Sequence, residues 1–369
     1  MAASELEHFF TKNGLSAPID NVVRSKAPLR ISFCGGGTDV PPYSETHGGC
    51  VLSCTIDKYA YVSVRPRTDE RIRVTSMEND VDVEYHRLQS IERLGKLDIA
   101  QSIFRRFGSL SLDCYTHSNA PPGSGLGSSS AMIVALIAAL ARFRGLHFSN
   151  YELSELAYKV ERDDLQIMGG MQDQYAATFG AFNFIEFSRD GVVVNPLRIS
   201  EDALNELHYH LLLCYTGVTR LSSNILKEQT GNVSAGVPVV VESLNELKSL
   251  TIEMKKALLR SRFAEFGDLL DQAWKLKKNL ASAISNTQID ELYDVARSHG
   301  AIGGKILGAG GGGHLLLFVP FTRRLRVSDA IEHAGGKVVD FQFDLSGVRT
   351  WSASSSTWSD HGEAALARS

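Results

Sequence analysis

Residues 121–131 read PPGSGLGSSSA and run without a break into MIVALIAALARF, residues 132–143. A loop of glycine and serine thus opens onto a strongly apolar helix. The N–H groups in a helix's first turn lack intrahelical partners, and the macrodipole adds roughly half a positive charge at that end. An anion docks there without help from a lysine. Gly123, Gly125 and Gly127 let the backbone approach a polyphosphate closely. Ser128, Ser129 and Ser130 offer hydroxyls to phosphate or to a metal riding on it. The plain alternative is a glycine-rich turn with a serine N-cap.

Upstream, Val22–Phe33, Val51–Val64 and Arg71–Ser76 are rich in β-branched and aromatic residues with alternating polarity, which predicts strands of one sheet. Between the first two lies CGGGTDVPPYSETHGG, Cys34–Gly49. It has too many glycines and prolines for regular structure and too many polar side chains for a spacer, so it reads as a binding loop. A helix at Ile99–Phe107 and a strand at Leu112–His117 precede the phosphate loop, and Gly145 ends the helix after it. Ser149 and Glu152 form the capping box of the next helix, whose Leu153, Leu156, Ala157 and Val160 share a face. Glu161 falls about 80° from Leu153, on the margin of that face. From the helix alone it reads as a surface carboxylate in an ion pair. A short helix, MQDQYAATF, carries Asp173, and Ala181–Phe187 returns as a strand.

A composition break near Ile199–Asp202 predicts two domains, 1–200 and 201–352, followed by a polar tail at 353–369. The second half reads as a strand at His208–Thr216, long helices at Pro238–Arg260, Phe263–Ala281 and Gln288–His299, and a strand near Lys305. The loop GAGGGG, Gly308–Gly313, a strand at His314–Val319, a helix at Thr322–His333 and a strand at Lys337–Phe343 follow. That order is a ferredoxin-like α+β sandwich. His208 and His210 are expected on one strand face as ordinary satisfied side chains.

With 43% hydrophobic and 22% charged residues, a 369-residue chain buries a large core. A net charge of -4 and no alternation of basic and aromatic residues argue against nucleic acid. The cysteines, Cys34, Cys50, Cys54, Cys114 and Cys214, are odd in number and form no CxxC pair, so a reducing cytoplasm is expected rather than a disulfide framework or zinc site. The start, MAASELEHFF, does not resemble a signal peptide, and the apolar run Ala131–Ala141 is too short to span a bilayer. The GxxxxGK[ST], HRD, DFG and HExxH strings are absent, and no strand with a suitably spaced acidic residue follows the loop and helix as a dinucleotide fold requires.

Three segments, APLRISFCGGGTD (27–39), PPGSGLGSSSA (121–131) and KILGAGGGGHLLLF (305–318), together resemble the motifs of the GHMP kinase superfamily. These are small-molecule kinases named for galactokinase, homoserine kinase, mevalonate kinase and phosphomevalonate kinase. The resemblance implies an α+β fold, with an N-terminal domain like the second domain of ribosomal protein S5 and a ferredoxin-like C-terminal domain. It implies that Pro121, Gly123, Ser124, Gly125, Leu126, Gly127, Ser128, Ser129 and Ser130 wrap the phosphates of ATP, and that Ser129 and Glu161 hold Mg2+. Asp173, twelve positions after Glu161, matches the catalytic aspartate, and Arg30 the arginine that orients it and offsets phosphoryl charge. Their alternatives are a local cap and a strand-end ion pair.

The resemblance places Gly35, Gly36, Gly37, Thr38 and Asp39 at the sugar, with Gly48, Gly49, Gly310 and Gly311. Gly36 and Gly37 stand where galactokinases carry Glu and His, which widens the pocket, while Asp39 remains to accept hydrogen bonds from hydroxyls. The GGGTD form followed by PPYSETHGG resembles the heptose kinases that phosphorylate D-glycero-D-manno-heptose 7-phosphate at its anomeric oxygen, on the way to GDP-heptose, capsules and surface glycans. Such a substrate needs cations, for which Arg220, Lys227 and Lys305 are candidates. ATP and a sugar phosphate are the expected partners, without nucleic acid or membrane, and a homodimer is compatible with the reading. The alternatives are a kinase of the same superfamily for fucose, galactose or free heptose, a non-catalytic sugar sensor on the same fold, and a dinucleotide-dependent oxidoreductase.

Overall fold

The structure, a computed structural model, describes residues 21–77, 80–85, 97–108, 111–218 and 223–353. The expectations for the first twenty residues, for Arg220 and for the tail beyond Ala353 lie outside the described residues.

Strands β1 (Val22–Cys34) and β2 (Gly49–Pro66) pair antiparallel, with register shifts at Pro28/Leu29 and Ser32/Cys34. The binding loop between them holds the short helix α1 (Tyr43–His47). Next come β3 (Ile72–Ser76), β4 (Val81–Tyr85), α2 (Asp98–Phe107) and β5 (Leu112–Ser118). Helix α3 (Ser128–Phe143) lies against β1 and β2. It is apolar nearly all round because it is buried nearly all round: Ile133, Val134, Leu136, Ile137 and Leu140 are fully enclosed. Each such side chain stabilises the fold by about 1.5–3 kcal/mol relative to exposure. Helix α4 (Asn150–Lys159) starts at the expected Ser149/Glu152 capping box and continues into a π turn at Val160–Asp164. Helix α5 (Gln172–Phe179), β6 (Phe182–Ser188) and β7 (Gly191–Pro196) complete this part.

The second part begins with α6 (Glu201–His210), so the strand expected from His208 starts only at β8 (Leu211–Tyr215). The Ser200 side chain caps the helix by accepting from the Ala203 N–H, and Leu207 is buried on its inner face. His208 and His210 are satisfied, but from a helix end, bonding the carbonyls of Phe341 (2.7 Å) and Val319 (3.0 Å). Then follow α7 (Ser223–Ser234), α8 (Pro238–Leu259), α9 (Phe263–Lys278), α10 (Thr287–His299), β9 (Gly303–Ile306), β10 (His314–Phe318), α11 (Arg324–His333) and β11 (Lys337–Val339). Their sheet runs β11-β8-β10-β9 with every pair antiparallel, the ferredoxin-like arrangement.

The strand expected at Lys337–Phe343 stops at Val339, and the chain crosses back to the first sheet. There β12 (Phe343–Asp344) pairs with β2, and β13 (Arg349–Ala353) pairs with β1 over Val22–Lys26. By pairing, residues 343–353 therefore belong with the first sheet, and the 201–352 span does not hold at its C-terminal end. The physical reason is β1's open edge, whose unpaired N–H and C=O groups are satisfied by a returning strand.

Candidate active site

The three glycine segments converge on one cleft, lined among others by Gly36, Gly37, Gly125, Gly127, Gly308 and Gly310. Gly123, Gly125 and Gly127 have φ of 77°, 78° and 75°, the left-handed region that favours glycine. Gly127 is the N-cap of α3, and no side chain caps the helix, so the serine N-cap alternative is set aside. The first-turn amides of α3 keep their capacity for an anion. The third segment supports the loop from behind. A Cβ on Gly125 would stand 2.6 Å from the Leu307 carbonyl oxygen, and one on Gly313 would stand 2.5 Å from that of Ser124. Backbone packs on backbone there, and His314 Nδ1 holds the Ser124 carbonyl at 2.7 Å.

Arg30 reaches this loop from β1 and is 3% exposed. Its Nε and Nη2 donate to the two carboxylate oxygens of Asp173 at 2.7 and 2.9 Å, and its Nη1 donates to the Gly125 carbonyl at 2.5 Å. Its own N–H donates to the Leu126 carbonyl (3.0 Å). The fork thereby ties Asp173 to the glycine loop. Asp173 sits in the first turn of α5, where a negative charge is favoured, and its 24% exposed side chain opens on the cleft. A Cβ on Gly127 would lie 3.3 Å from that carboxylate, so helix start and carboxylate are neighbours.

Glu161 lies within the π turn, which contacts α3. It is 4% exposed, not on the surface. Ser130 Oγ donates to its Oε2 at 2.9 Å, Gln174 Nε2 donates to the same oxygen, and the guanidinium of Arg162 lies 3.8 Å away. Burial pushes this carboxyl above its ordinary pKa. Ser129 lines the same wall of the cleft. One buried carboxylate with one open hydroxyl fits Mg2+, a hard ion that completes its shell with waters and phosphate oxygens.

Asp39 is fully buried at the other end of the cleft. It accepts from the Gly37 N–H (2.9 Å), the Gln172 N–H (3.2 Å) and Gln172 Nε2 (3.2 Å). Burial raises its pKa, and the nearby charge of Asp173 adds to the effect. Gly170 is glycine for space, since a Cβ there would stand 1.8 Å from Asp39 Oδ2.

Residues 95–181 match the N-terminal domain of the GHMP kinases, and residues 254–337 match their C-terminal domain. A D-glycero-alpha-D-manno-heptose 7-phosphate kinase of Campylobacter jejuni is 38% identical over 89% of this chain and 98% of its own. The chain belongs to the GHMP kinase family. The crystal structure of a D-glycero-D-manno-heptose 1-phosphate kinase from Bacteroides thetaiotaomicron superposes with a TM-score of 0.77 at 33% identity, covering 90% of this chain and all of that one. Lactococcus lactis galactokinase complexed with galactose shares the fold at a TM-score of 0.74 and 18% identity, over 95% of this chain and 100% of that one.

Of the residues expected in this kinase's site, Arg30, Gly36, Gly37, Asp39, Gly123, Gly125, Gly127, Ser128, Ser129, Ser130, Glu161, Asp173 and Gly310 line the cleft. Others shape it from behind. Pro121 accepts from Ser128 Oγ (3.2 Å), Ser124 and Leu126 are buried within the loop, and Gly35, Thr38 and Gly49 knit the binding loop to Cys50. Gly48 ends α1, and Gly311 is held by Ile284 and Asn286. Two of the candidate cations lie off the cleft lining: Lys227 is exposed, and Lys305 is buried with its Nζ donating to the Ser32 carbonyl (2.8 Å). Sequence reasoning missed Gln172 and Gln174, which flank Asp173 in MQDQ, and Lys277, a lysine on the apolar stripe Leu270, Ala273, Trp274 of α9. A cation on a buried helix face was the available signal.

Proposed function

We propose that this kinase phosphorylates the anomeric hydroxyl of D-glycero-D-manno-heptose 7-phosphate, with ATP as donor, to give the 1,7-bisphosphate. The observation that carries the reading is the forked Arg30–Asp173 pair beside the uncapped start of α3. With the polyphosphate on the α3 amides and the sugar between Asp39 and Asp173, the anomeric oxygen attacks the γ-phosphorus. The new O–P bond forms as the bond to the β-phosphate oxygen breaks, the hydroxyl proton passes to Asp173, and ADP leaves. Arg30 holds the carboxylate in line and offsets charge on the moving phosphoryl group. Ser129 and Glu161 would hold Mg2+, which neutralises phosphate charge when bound. The open Gly36–Gly37 stretch suits a sugar longer than a hexose, and the Campylobacter jejuni relative is named for this substrate.

This activity would supply GDP-heptose for surface polysaccharide, in a cytoplasm that keeps the five free, buried cysteines reduced. Among the described residues no helix is long and apolar enough to cross a membrane. Coupled ADP release tests the proposal. Heptose 7-phosphate should far exceed free heptose, fucose and galactose in kcat/KM, and an equal or greater rate with an unphosphorylated sugar would overturn it.

A further inference from the structure

A sugar that already carries a phosphate monoester brings close to two negative charges into the cleft. Among the described residues, three cationic side chains line that cleft: Arg30, Arg162 and Lys277. Two are committed. Arg30 spends its donors on Asp173 and Gly125. Arg162 donates to the carbonyls of Ile167 and Gly170, and it lies beside Glu161.

Lys277 differs in its partners. Its ammonium group donates to the carbonyls of Gly308 and Ile306, and among the described residues it forms no ion pair. Burial, then the neighbouring cations Lys305 and Arg30, push its pKa well below that of an ordinary lysine. A second buried amine, Lys305, is pushed down to about 8 in the same corner. The charge of Asp39, which lines the same cleft, offsets part of the shift of Lys277.

The position fits an elongated sugar. Leu280, three residues beyond Lys277, packs where a Cβ on Gly37 would meet it at 3.2 Å, and Gln229 Nε2 would lie 3.1 Å from the same atom. The end of α9 therefore faces the stretch of binding loop that lacks side chains. Lysine also suits the task, being a compact point charge that binds phosphate without the planar geometry of arginine. Both buried amines of this corner, Lys277 and Lys305, are held on carbonyl oxygens, and an anion entering it would gain charge-assisted hydrogen bonds.

We propose that Lys277 holds the phosphate the sugar already carries. The assignment rests on the sugar-phosphate reading above. Its test compares wild type with K277M on heptose 7-phosphate and on free heptose. K277M should lower kcat/KM for the phosphorylated sugar roughly 10- to 150-fold, the scale of one hydrogen bond to a charged group. At saturating ATP the value for free heptose should move by less than about threefold, as expected when only a contact to the 7-phosphate is lost. A wild type indifferent to the 7-phosphate would overturn the substrate reading. A wild type that prefers it, with K277M keeping that preference, would overturn the Lys277 assignment alone. An equal loss on both sugars would show a merely structural role and also overturn it. Reductive methylation of Lys277 in wild type, mapped by mass spectrometry, covers the case in which K277M does not fold. Saturating heptose 7-phosphate should protect the amine and free heptose should not, and labelling unaffected by either would reject the proposal.

Discussion

Replacing Asp173 by Asn is the most direct test of how this cleft works. The carboxylate receives two charge-assisted hydrogen bonds from Arg30, at 2.7 and 2.9 Å, and Asn keeps only one acceptor oxygen while its NH2 faces the other guanidinium nitrogen. Losing one hydrogen bond to a charged group costs about 1.5–3 kcal/mol, and breaking a buried pair outright about 3–5 kcal/mol. Because the Asp173 side chain is 24% exposed, the expected loss of folding stability is about 2–4 kcal/mol, and the chain stays folded. Catalysis suffers more specifically. Removing a positioned general base lowers kcat roughly 10²- to 10⁴-fold, equivalent to about 3–5 kcal/mol of transition-state stabilisation. On the proposed reading, in which the α3 amides and the glycine loop hold ATP, its affinity should hardly change. Coupled ADP release gives kcat, calorimetric titration with ATP gives affinity, and a thermal melt confirms folding. A second variant, R30Q, sharpens the result: if Arg30 acts mainly through Asp173, adding R30Q to D173N should cost less than about tenfold more, well short of additivity. A folded D173N with near-normal turnover would refute the assignment of the base.

Three further outcomes follow from the same geometry. E161Q keeps both hydrogen bonds from Ser130 and Gln174 but removes a buried charge. Burial raises the folded pKa of Glu161 above its unfolded value, so its ionisation weakens the fold as pH rises through that interval, and the effect is absent below both values. Without Mg2+, E161Q should thus melt at or above wild type at pH 8 and converge with it only below the unfolded glutamate pKa, at about pH 4, while needing more Mg2+ for activity. A lower melting temperature for E161Q at pH 8 would contradict this. G170A drives a Cβ toward Asp39 Oδ2, so kcat/KM for the sugar should drop roughly 10- to 100-fold, the order expected for about 1 Å of misplacement, with the KM for ATP unchanged. A normal sugar KM would remove Asp39 from the sugar site. G125A forces a side chain into the Leu307 carbonyl at a φ of 78° and should raise the KM for ATP more than that for the sugar, which steady-state titrations of each substrate would decide.

How much of this was legible in the sequence varies residue by residue. The phosphate loop and α3 were readable because glycine, serine and an unbroken apolar run are local signals. The capping box at Ser149 was equally local. Glu161 was only half visible. A regular helix puts it on the margin of the apolar face, and a π turn, which no periodicity announces, accompanies its burial. The strand expected from His208 was misplaced because the end of an amphipathic helix and the start of a buried strand form one continuous polar-to-apolar run. Strand β13, RTWSA, carries too few apolar residues to show a period, and its existence depends on the edge of β1 that it covers.

By itself, the chain's order of residues determined its family, its two sheets and the identity of most groups in the cleft, because turn chemistry, capping and apolar periodicity act over a few neighbouring residues. Tertiary structure alone decided which groups meet. Arg30 and Asp173 are 143 positions apart, and Lys277 faces a loop some 240 residues away in sequence. Pairing charges across such separations depends on packing, not on spacing. So does the balance between burying a charge and pairing it, which among the described residues leaves Lys277 without a carboxylate in an ion pair.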